Sequence, residues 1–505
     1  MTPPAPLNHL PEGSPFRSFW MGGFEGADHV NGLGVALDMA DLNGHVERLD
    51  EDYERAAARG LRCVRESVGW RLAEPETGVF DLERVVRIAQ AAERHGIQVL
   101  WTLMHYGTPA DVGFFDDAFI GRFARFARET ARILKPLSPQ PPIYTLVNEI
   151  NFIAWAVSET SLVHPYRNGE AGREPDTGRS GYDVKRRLVA ATLAGIEAVR
   201  QVDPRARFLH VEPVVHCVAP DDRPDLQPLA EEICSYQWQA WDMIAGRMDP
   251  ELGGHPAALD LIGVNYYHCG QWEVETEQRL HWHERDPRRR PLSALLHDVW
   301  ARYRRPLIIA ETSHVGVGRA EWLNDVAAQI THARAGGVPV DGICLYPLVD
   351  RPDWNDASHW HHSGLWNVVN AEGSASPGER PFRRVINSSY AQTLARWQDY
   401  LPEPPKKGIA MPHLIVFSHL RWGFVYQRPQ HLLSRLANDY RILFVEEPMH
   451  SPGAPRLDVV SQGPNIDVLC PRTPVAAHGF HDDQLSVLKP LLTDYLRENG
   501  IDDYL

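Results

Sequence analysis

Residues 81–107, DLERVVRIAQAAERHGIQVLWTLMHYG, decide the fold, because they hold one complete helix-to-strand unit. In the first half, apolar residues recur at three- and four-residue spacing, which predicts an amphipathic helix. Gly96 follows, and glycine commonly ends a helix in the left-handed conformation. The run IQVLWTLM after it is mostly apolar and rich in β-forming residues, which predicts a buried strand. The stretch is therefore typical of an α/β protein.

The same alternation extends over most of the chain. Further helix-like segments occupy residues 45–60 and 116–134. Eight β-rich runs begin at Phe19, Leu61, Ile97, Ile143, Arg207, Leu259, Pro306 and Val340. Eight strands that alternate with helical stretches predict a (β/α)8 barrel, the TIM barrel. A doubly wound sheet would also alternate, but it usually has fewer repeats and a Gly-rich first turn, and GLG at residues 32–34 lacks the third glycine of that turn.

Composition and charge exclude several classes of protein. The 505 residues are 43% apolar and 23% charged, as in an ordinary globular chain. The formal net charge of -15 argues against a partner bound through nucleic-acid phosphates. We expect neither a secretory signal nor a membrane span, because the N-terminus has no basic region before an apolar stretch and no long apolar run occurs. Six scattered cysteines without a CxxC pair indicate free thiols in a reducing cytoplasm.

The composition changes near residue 400. LPEPPKKG, at residues 401–408, is rich in Pro and Lys and predicts a linker. We therefore divide the chain into a barrel at residues 1–400, a linker at 401–411 and a second unit at 412–505. In that unit strand-like HLIVFSHL, RILFVEEP and IDVLC accompany helix-like RPQHLLSRLAND and LSVLKPLLTDYLREN. This pattern predicts a small, incomplete Rossmann-like α/β segment.

Polar residues end the eight predicted strands. They are Glu25, Arg65, Glu66, His105, Asn148, Glu149, His210, Glu212, Asn265, Tyr267, Glu311, Asp350 and Asp353. Active sites of (β/α)8 barrels lie at the carboxyl ends of the strands, so these side chains form the candidate site. Glu149 ends the fourth strand and Glu311 the seventh, so the two face each other across the barrel mouth. Two such carboxyl groups can divide the acid and nucleophile roles in glycosyl transfer.

Each of these features has a plainer structural interpretation. A single strand-end carboxylate can simply pair with a nearby Arg or Lys. That interpretation accounts less well for the pair, in which Glu149 follows Asn and Glu311 precedes Thr. The run SHWHHS at residues 358–363 could suggest a metal site, but its spacing fits no standard ligand pattern. We interpret it as a loop near the cleft.

Several motifs together resemble the retaining (β/α)8 glycoside hydrolases of clan A, and most closely the β-glucosidase-like family 1. They are VRESVGW at residues 64–70, TLMHYGTP at 102–109, TLVNEIN at 145–151, GVNYY at 263–267 and IAETS at 309–313. The resemblance implies a double displacement with Glu149 as acid/base and Glu311 as nucleophile. It also implies the roles of five neighbours: Arg65 lies under the nucleophile, His105 contacts the sugar, Asn148 binds the sugar 2-hydroxyl, and Asn265 and Tyr267 flank the nucleophile.

Two regions depart from the family pattern. LYPLVDRPDW, at residues 345–354, stands where the family has a Trp-Ser-Leu run that ends in Glu-Trp. In this comparison Tyr346 replaces a tryptophan under the sugar, Asp353 replaces a glutamate that grips the outer hydroxyls, and Trp354 is retained. GGFEGADH, at residues 22–29, resembles the family's first strand loosely and makes Glu25 a candidate hydroxyl ligand. Both regions define the terminal-sugar subsite, so the resemblance does not imply which sugar binds.

The resemblance implies a retaining β-glycoside hydrolase whose partner is a β-glycoside or oligosaccharide and which needs no cofactor or metal. Two alternatives stay open: a transglycosylase of cell-surface glycan synthesis, in which an acceptor sugar replaces water, and a non-catalytic carbohydrate-binding barrel. FSHLRWGFVYQRPQHLLSRLA at residues 417–437, with RILFVEEP at 441–448, resembles the start of a GT-B glycosyltransferase N-terminal domain. The half that would bind a sugar nucleotide does not follow, so we expect no transferase activity from this sequence.

Overall fold

The computed structural model describes residues 7–8, 10–11, 13–164, 180–284, 286–370, 382–399, 412–422, 432–433, 436–437, 440–463, 465–502 and 504–505. The chain divides into two compact units, Met1–Pro402 and Glu403–Leu505. The predicted linker at residues 401–411 lies outside the described residues, and so does most of the predicted helix at 428–439.

The first unit is a closed barrel of eight parallel strands. These are β1 (Trp20–Gly23), β2 (Cys63–Ser67), β3 (Gln98–Met104), β4 (Ile143–Val147), β5 (Arg207–Pro213), β6 (Leu261–Asn265), β7 (Leu307–Thr312) and β8 (Val340–Leu345). Every strand pairs with its neighbours in the sequence, and β1 pairs with both β2 and β8, which closes the ring. The predicted (β/α)8 barrel is confirmed, and each observed strand lies within a predicted β-rich run.

Helices follow the strands and surround the barrel. Those of eight residues or more are α1 (Leu49–Ala58), α2 (Glu83–His95), α3 (Ala118–Leu134), α4 (Ile150–Glu159), α5 (Gly181–Val202), α6 (Gln227–Ser235), α7 (Leu292–Tyr303), α8 (Arg319–Ala335) and α9 (Ser388–Gln398). Helix α2 ends as predicted, with Gly96 in the left-handed conformation at φ 64°. Among the described residues no helix combines the length and apolar character needed to cross a membrane.

Short elements fill the loops between the barrel strands. Short helices are formed by Met39–Leu42, Trp70–Ala73, Lys135–Leu137, Pro224–Leu226, Tyr236–Trp238, Gln239–Ile244, Pro250–Leu252 and Gly316–Gly318. Two-stranded sheets pair His216–Val218 with Gln271–Glu273, Arg351–Pro352 with Trp360–His361, and Trp366–Asn370 with Phe382–Ile386. The last two sheets follow β8, so the loop after this strand carries more structure than a simple turn.

The barrel interior separates apolar from polar side chains along its axis. An apolar cluster takes at least one side chain from every strand: Met21, Cys63, Leu100, Ile143, Leu209, Leu261, Ile308 and Cys344. Side chains two residues apart on a strand share a face. Arg65, two residues after Cys63, therefore also faces the interior, whereas Glu66 faces the surrounding helices. The polar groups of the candidate site consequently stand on a packed apolar floor.

The second unit contains a small α/β sheet. Its strands are β9 (His413–Ser418), β10 (Arg441–Glu446), β11 (Met449–His450), β12 (Arg456–Gly463) and β13 (Ile466–Thr473), and helix α10 spans Asp482–Glu498. Strands β9, β10 and β13 are parallel neighbours, and β12 pairs antiparallel with β13. On β10, Ile442 and Phe444 enter one apolar cluster while Leu443 and Val445 enter another, so both sheet faces are covered. The resemblance to a glycosyltransferase domain stays a prediction.

Candidate active site

Glu311 lies on β7 inside the barrel mouth and accepts hydrogen bonds from three side chains. Its Oε1 accepts from Arg65 Nη1 at 2.6 Å and from Asn148 Nδ2 at 3.2 Å. Its Oε2 accepts from the Tyr267 hydroxyl at 2.8 Å. The residue is only 3% exposed. Glu311 is therefore a buried carboxyl group that is held by a guanidinium and two further donors.

Arg65 connects several residues of the site through hydrogen bonds from the barrel interior. It is buried, and Nη1 also donates to the Ala310 carbonyl at 3.0 Å. Its Nη2 donates to Asn148 Oδ1 at 2.8 Å and to Thr102 Oγ1 at 3.3 Å. Because a guanidinium only donates, the amide oxygen of Asn148 must face Arg65. The Asn148 Nδ2 group is thereby directed toward the carboxyl groups.

Glu149 stands at the turn between β4 and α4. It has left-handed backbone angles, φ 53° and ψ 61°, and it is the residue before the first turn of α4. A non-glycine residue in this region carries strain of about 1 kcal/mol. The turn is held by Glu149 N, which donates to the Val211 carbonyl at 3.0 Å, and by Ile153 N, which donates to the Glu149 carbonyl at 2.9 Å. A strained turn that is held from both sides fixes the direction of this side chain.

The Glu149 carboxyl group has neutral partners. Its Oε1 accepts from Asn265 Nδ2 at 2.7 Å, and its Oε2 accepts from the Tyr106 hydroxyl. Burial, reinforced by the negative charge of Glu311, raises the pKa of Glu149 to about 7. Asn148 Nδ2, which binds Glu311, also lies 3.4 Å from the Tyr106 hydroxyl, so one amide joins the surroundings of both carboxyl groups. Glu311 thus accepts a hydrogen bond from a guanidinium, whereas the side chains that donate to Glu149 are neutral.

His105 ends β3 beside this network. Its Nε2 accepts from Asn148 Nδ2 at 3.3 Å, and its Nδ1 lies 2.9 Å from Ser67 Oγ. Since the amide donates, the hydrogen-bond network assigns the ring proton to Nδ1, which donates to Ser67. Burial, followed by the charge of Arg65, lowers the pKa of His105 well below its ordinary value. The imidazole is therefore neutral.

Tyr346 and Glu25 line the side of the site between β8 and β1. The Tyr346 hydroxyl accepts from Gly26 N at 3.3 Å, and its ring lies 5.4 Å from the Arg65 guanidinium carbon. Glu25 Oε1 accepts from Ala27 N at 3.1 Å, and Oε2 pairs with Arg351 Nε at 3.1 Å. Burial raises the pKa of Glu25. Glu25 is a buried carboxyl group that pairs with the partly exposed Arg351 at the edge of the site.

Asp353 and Trp354, although adjacent, have different surroundings. Asp353 Oδ2 pairs with His361 Nε2 at 2.8 Å, and Oδ1 accepts from Asn355 N at 2.8 Å. Its side chain is 34% exposed and serves the loop that contains His361. The Trp354 ring instead packs edge-on against Tyr106 at 5.7 Å and against His29 at 4.7 Å. The structure therefore brings Trp354, but not Asp353, against the residues around Glu149.

Three of the polar residues that end the predicted strands have structural roles. Glu66 accepts from the Tyr53 hydroxyl at 2.8 Å on the outer face of the barrel, as its alternation with Arg65 requires. His210 Nε2 contacts the Ala258 carbonyl at 2.8 Å. Asp350 accepts from Gly364 N at 2.9 Å. Among the described residues no group of three His, Cys, Asp or Glu side chains could hold a metal ion.

Sequence reasoning missed three residues of the site: Tyr106, Arg351 and His29. Tyr106 directly follows His105, and this position after a strand end could have marked it as a candidate site residue. Arg351 lies inside the LYPLVDRPDW segment and pairs with Glu25. His29 is 1% exposed, and the described residues offer neither of its ring nitrogens a hydrogen-bond partner. Buried polar atoms of this kind usually meet water or a ligand.

Comparison with known proteins places the barrel among solved structures. No protein-family model matches the sequence, and a search of curated proteins finds no match. The AHE enzyme of Alicyclobacillus herbarius is 17% identical with a TM-score of 0.59, and the match spans 77% of this chain and 99% of that enzyme. The family 1 β-glucosidase of Thermotoga maritima is 16% identical with a TM-score of 0.59, over 77% and 98% of the two chains.

A third structure, the β-glycosidase BGL167, is 18% identical with a TM-score of 0.56 and matches over 77% of this chain and 99% of its own. At such identities the likeness shows the fold. This chain therefore contains a closed barrel of the kind found in these three structures.

Proposed function

We propose that this protein is a retaining β-glycoside hydrolase in which Glu311 is the nucleophile and Glu149 the acid/base. One observation carries the proposal: two buried carboxyl groups of one site have opposite surroundings. Glu311 faces a guanidinium and two other donors, whereas Glu149 is buried among neutral groups beside a negative charge. Two carboxyl groups of one site that have such different environments are typical of acid and nucleophile partners.

In the first step Glu311 attacks the anomeric carbon while Glu149 donates its proton to the leaving oxygen. The bond from the anomeric carbon to that oxygen breaks, and an ester forms between the sugar and Glu311. Tyr267 and Arg65 hold the attacking carboxylate in place through their hydrogen bonds. With a pKa of about 7, Glu149 keeps a proton for this step in a large fraction of molecules at neutral pH.

In the second step water attacks the anomeric carbon, the bond from that carbon to Glu311 breaks and frees the Glu311 carboxylate, and Glu149 takes the proton from the water. The esterified Glu311 no longer carries the negative charge that raises the pKa of Glu149. The pKa of Glu149 is then expected to fall, which favours the carboxylate needed as general base. Esterification of Glu311 thus favours the change of Glu149 from acid to base.

The names of the structural neighbours support this proposal. Two are described as a family 1 β-glucosidase and a β-glycosidase, and one structure holds the glucosidase with glucoimidazole. The departures at Glu25, Tyr346 and Asp353 all concern the terminal-sugar subsite, so the substrate is proposed only as a β-linked glycoside. An acceptor sugar could take the place of water, and product analysis with and without added acceptor separates hydrolysis from transfer.

The test uses the full chain and a panel of aryl β-glycosides. Wild-type protein should release the aryl group from at least one of them and give the β-anomer as first product in NMR. Glu311→Gln should lose activity by at least about 10³-fold, because no nucleophile remains. Glu273→Gln removes another buried carboxyl group, one paired with Arg288, and serves as the matched control with activity retained. An α-anomer as first product, or an active Glu311→Gln protein, would contradict the proposal.

A further inference from the structure

Tyr106 contacts the carboxyl group of Glu149, as Asn265 does, although no role was assigned to it from the sequence. It follows His105 at the end of β3 and is 4% exposed. Its φ of 81° lies in the left-handed region, where a bulky aromatic residue is a rare outlier. Strained backbone of this kind persists only where the surroundings hold it, and it clusters at functional sites. The hydroxyl of this strained residue contacts Glu149 Oε2.

The Tyr106 ring is held on several sides by other rings. It packs against His105 at 4.7 Å, Phe152 at 5.2 Å and Trp354 at 5.7 Å between ring centres. Two of these contacts are edge-on and the third is tilted. Such packing leaves the phenol little freedom. The position of its hydroxyl is therefore set by the fold and does not depend on the hydrogen bond alone.

The direction of the hydrogen bonds follows from Arg65. The Asn148 amide oxygen accepts from Arg65 Nη2 at 2.8 Å, so its Nδ2 can only donate toward the Tyr106 hydroxyl at 3.4 Å. The two protons of Nδ2 also face Glu311 and His105, and Nδ2 cannot accept a hydrogen bond, so the single proton of the phenol is left for Glu149. Burial, with the charge of Glu149 next, raises the pKa of Tyr106 well above its ordinary value, so the phenol keeps this proton.

We propose that Tyr106 is a positioning residue for the acid/base: its hydroxyl donates to Glu149 Oε2, holds the carboxyl group in one orientation, and stabilises its ionised form. The assignment of Glu149 as acid/base rests on the proposed function. The hydrogen bond opposes burial and Glu311, which both favour the protonated form. It therefore keeps the acid/base able to serve as base after it has served as acid.

Several groups besides Tyr106 act on Glu149. They are Arg65 from β2, Glu212 from β5, Asn265 from β6, Tyr267 and Cys269 from the loop after β6, and Glu311 from β7. Tyr106→Phe leaves all of these in place and removes one oxygen. A change in the titration of Glu149 in that variant is therefore assigned to the phenol.

The test titrates Glu149 directly by infrared difference spectroscopy of the full chain, with Glu149→Gln to assign the carboxyl band. No substrate is needed. Tyr106→Phe should raise the pKa of Glu149 by about one unit above that of wild type, since hydrogen bonds to ionised groups are among the stronger ones. Tyr144→Phe removes another buried hydroxyl, for which the described residues supply no hydrogen-bond partner, and should leave the titration unchanged.

A second variant keeps the hydroxyl, so this test does not depend on whether the Tyr106→Phe protein folds. Incorporation of 3-fluorotyrosine at position 106 makes the phenol a stronger donor and should lower the pKa of Glu149. An unchanged pKa in folded Tyr106→Phe, or an equal shift in Tyr144→Phe, would overturn the inference. Absence of glycoside cleavage by wild-type protein would count against the proposed function, while the titration would still decide the hydrogen bond.

Discussion

At the residue scale, the side-chain amide of Asn148 contacts an unusually large number of the polar groups of the site. Asn148 gives its oxygen to Arg65 and its Nδ2 group to Glu311, with the Tyr106 hydroxyl and His105 Nε2 also in reach. An amide that is polarised by a guanidinium on one side is a better donor on the other. The protonation of His105 is fixed through the same group. A single asparagine thus sets the hydrogen-bond directions on which both carboxyl groups depend.

The protonation of Glu149, the proposed acid/base, predicts how the proposed reaction depends on pH. The first step requires protonated Glu149, and the pKa of this group is raised to about 7 by burial and by Glu311. Activity on a glycoside with a poor leaving group should therefore fall as the pH rises through about 7. The measurement is kcat/KM against pH with an alkyl β-glycoside.

A 2,4-dinitrophenyl glycoside of the same sugar serves as control. Its leaving group needs little protonation, so the fall through pH 7 should be much smaller. An equal fall for both glycosides would mean that the titrating group is not the proton donor.

At the element scale, helix α4 links Glu149, the proposed acid/base, to the barrel. Its N-terminal N–H groups point to Glu212 on β5, whose Oε1 and Oε2 accept from Ile150 N and Asn151 N, each at 2.9 Å. Glu149 directly precedes this turn. A carboxyl group at a helix N-terminus satisfies donors that the helix itself cannot. The buried carboxyl group of Glu212 therefore has a structural task, which is to hold the turn that carries Glu149.

Glu212→Gln should lower the free energy of unfolding of the barrel by about 1–2 kcal/mol, because the amide offers a single acceptor oxygen to two buried N–H groups. Urea unfolding followed by tryptophan fluorescence measures this loss. Glu321→Gln also removes a carboxyl group from the first turn of a helix, α8, but from an exposed position, and should cost at most about 0.5 kcal/mol. Equal losses of stability in the two variants would contradict the proposal that Glu212 holds the turn before α4.

The elements were predictable to different degrees for physical reasons. Strand periodicity and glycine stops repeat along the chain, so the barrel followed from the sequence. The alternation of side chains could also have assigned Arg65 to the interior and Glu66 to the outer face. The contact of Tyr106 with Glu149 requires a positive φ that no periodicity signals. The pairing of Asp353 with His361 depends on the loop after β8, and loop conformation was beyond pattern reasoning.

At the scale of the whole molecule, each unit has its own apolar core. The barrel packs residues such as Phe123 between strands and helices, and the second unit packs Phe444 in its sheet. Both side chains are fully buried. A chain with two separate cores is not expected to unfold as one two-state system. Stability measurements on this protein therefore need a probe for each unit.

Phe444→Ala should destabilise the second unit by about 3–5 kcal/mol, since it empties a buried site in a small core. Differential scanning calorimetry should show one transition lowered and the transition of the barrel unmoved. Phe123→Ala is the matched variant and should lower the other transition. A single transition that shifts equally in both variants would show that the two cores unfold together.

The packing of Gly23 against Tyr346 has a consequence for how this site can evolve. A Cβ atom at residue 23 would lie 2.2 Å from the ring of Tyr346, far inside any tolerable contact. No side chain can therefore be gained at residue 23 while the tyrosine stays in place, whereas a smaller residue at 346 would remove the clash. Mutational paths that introduce a side chain at residue 23 must change position 346 first, and single-substitution libraries at Gly23 will miss them.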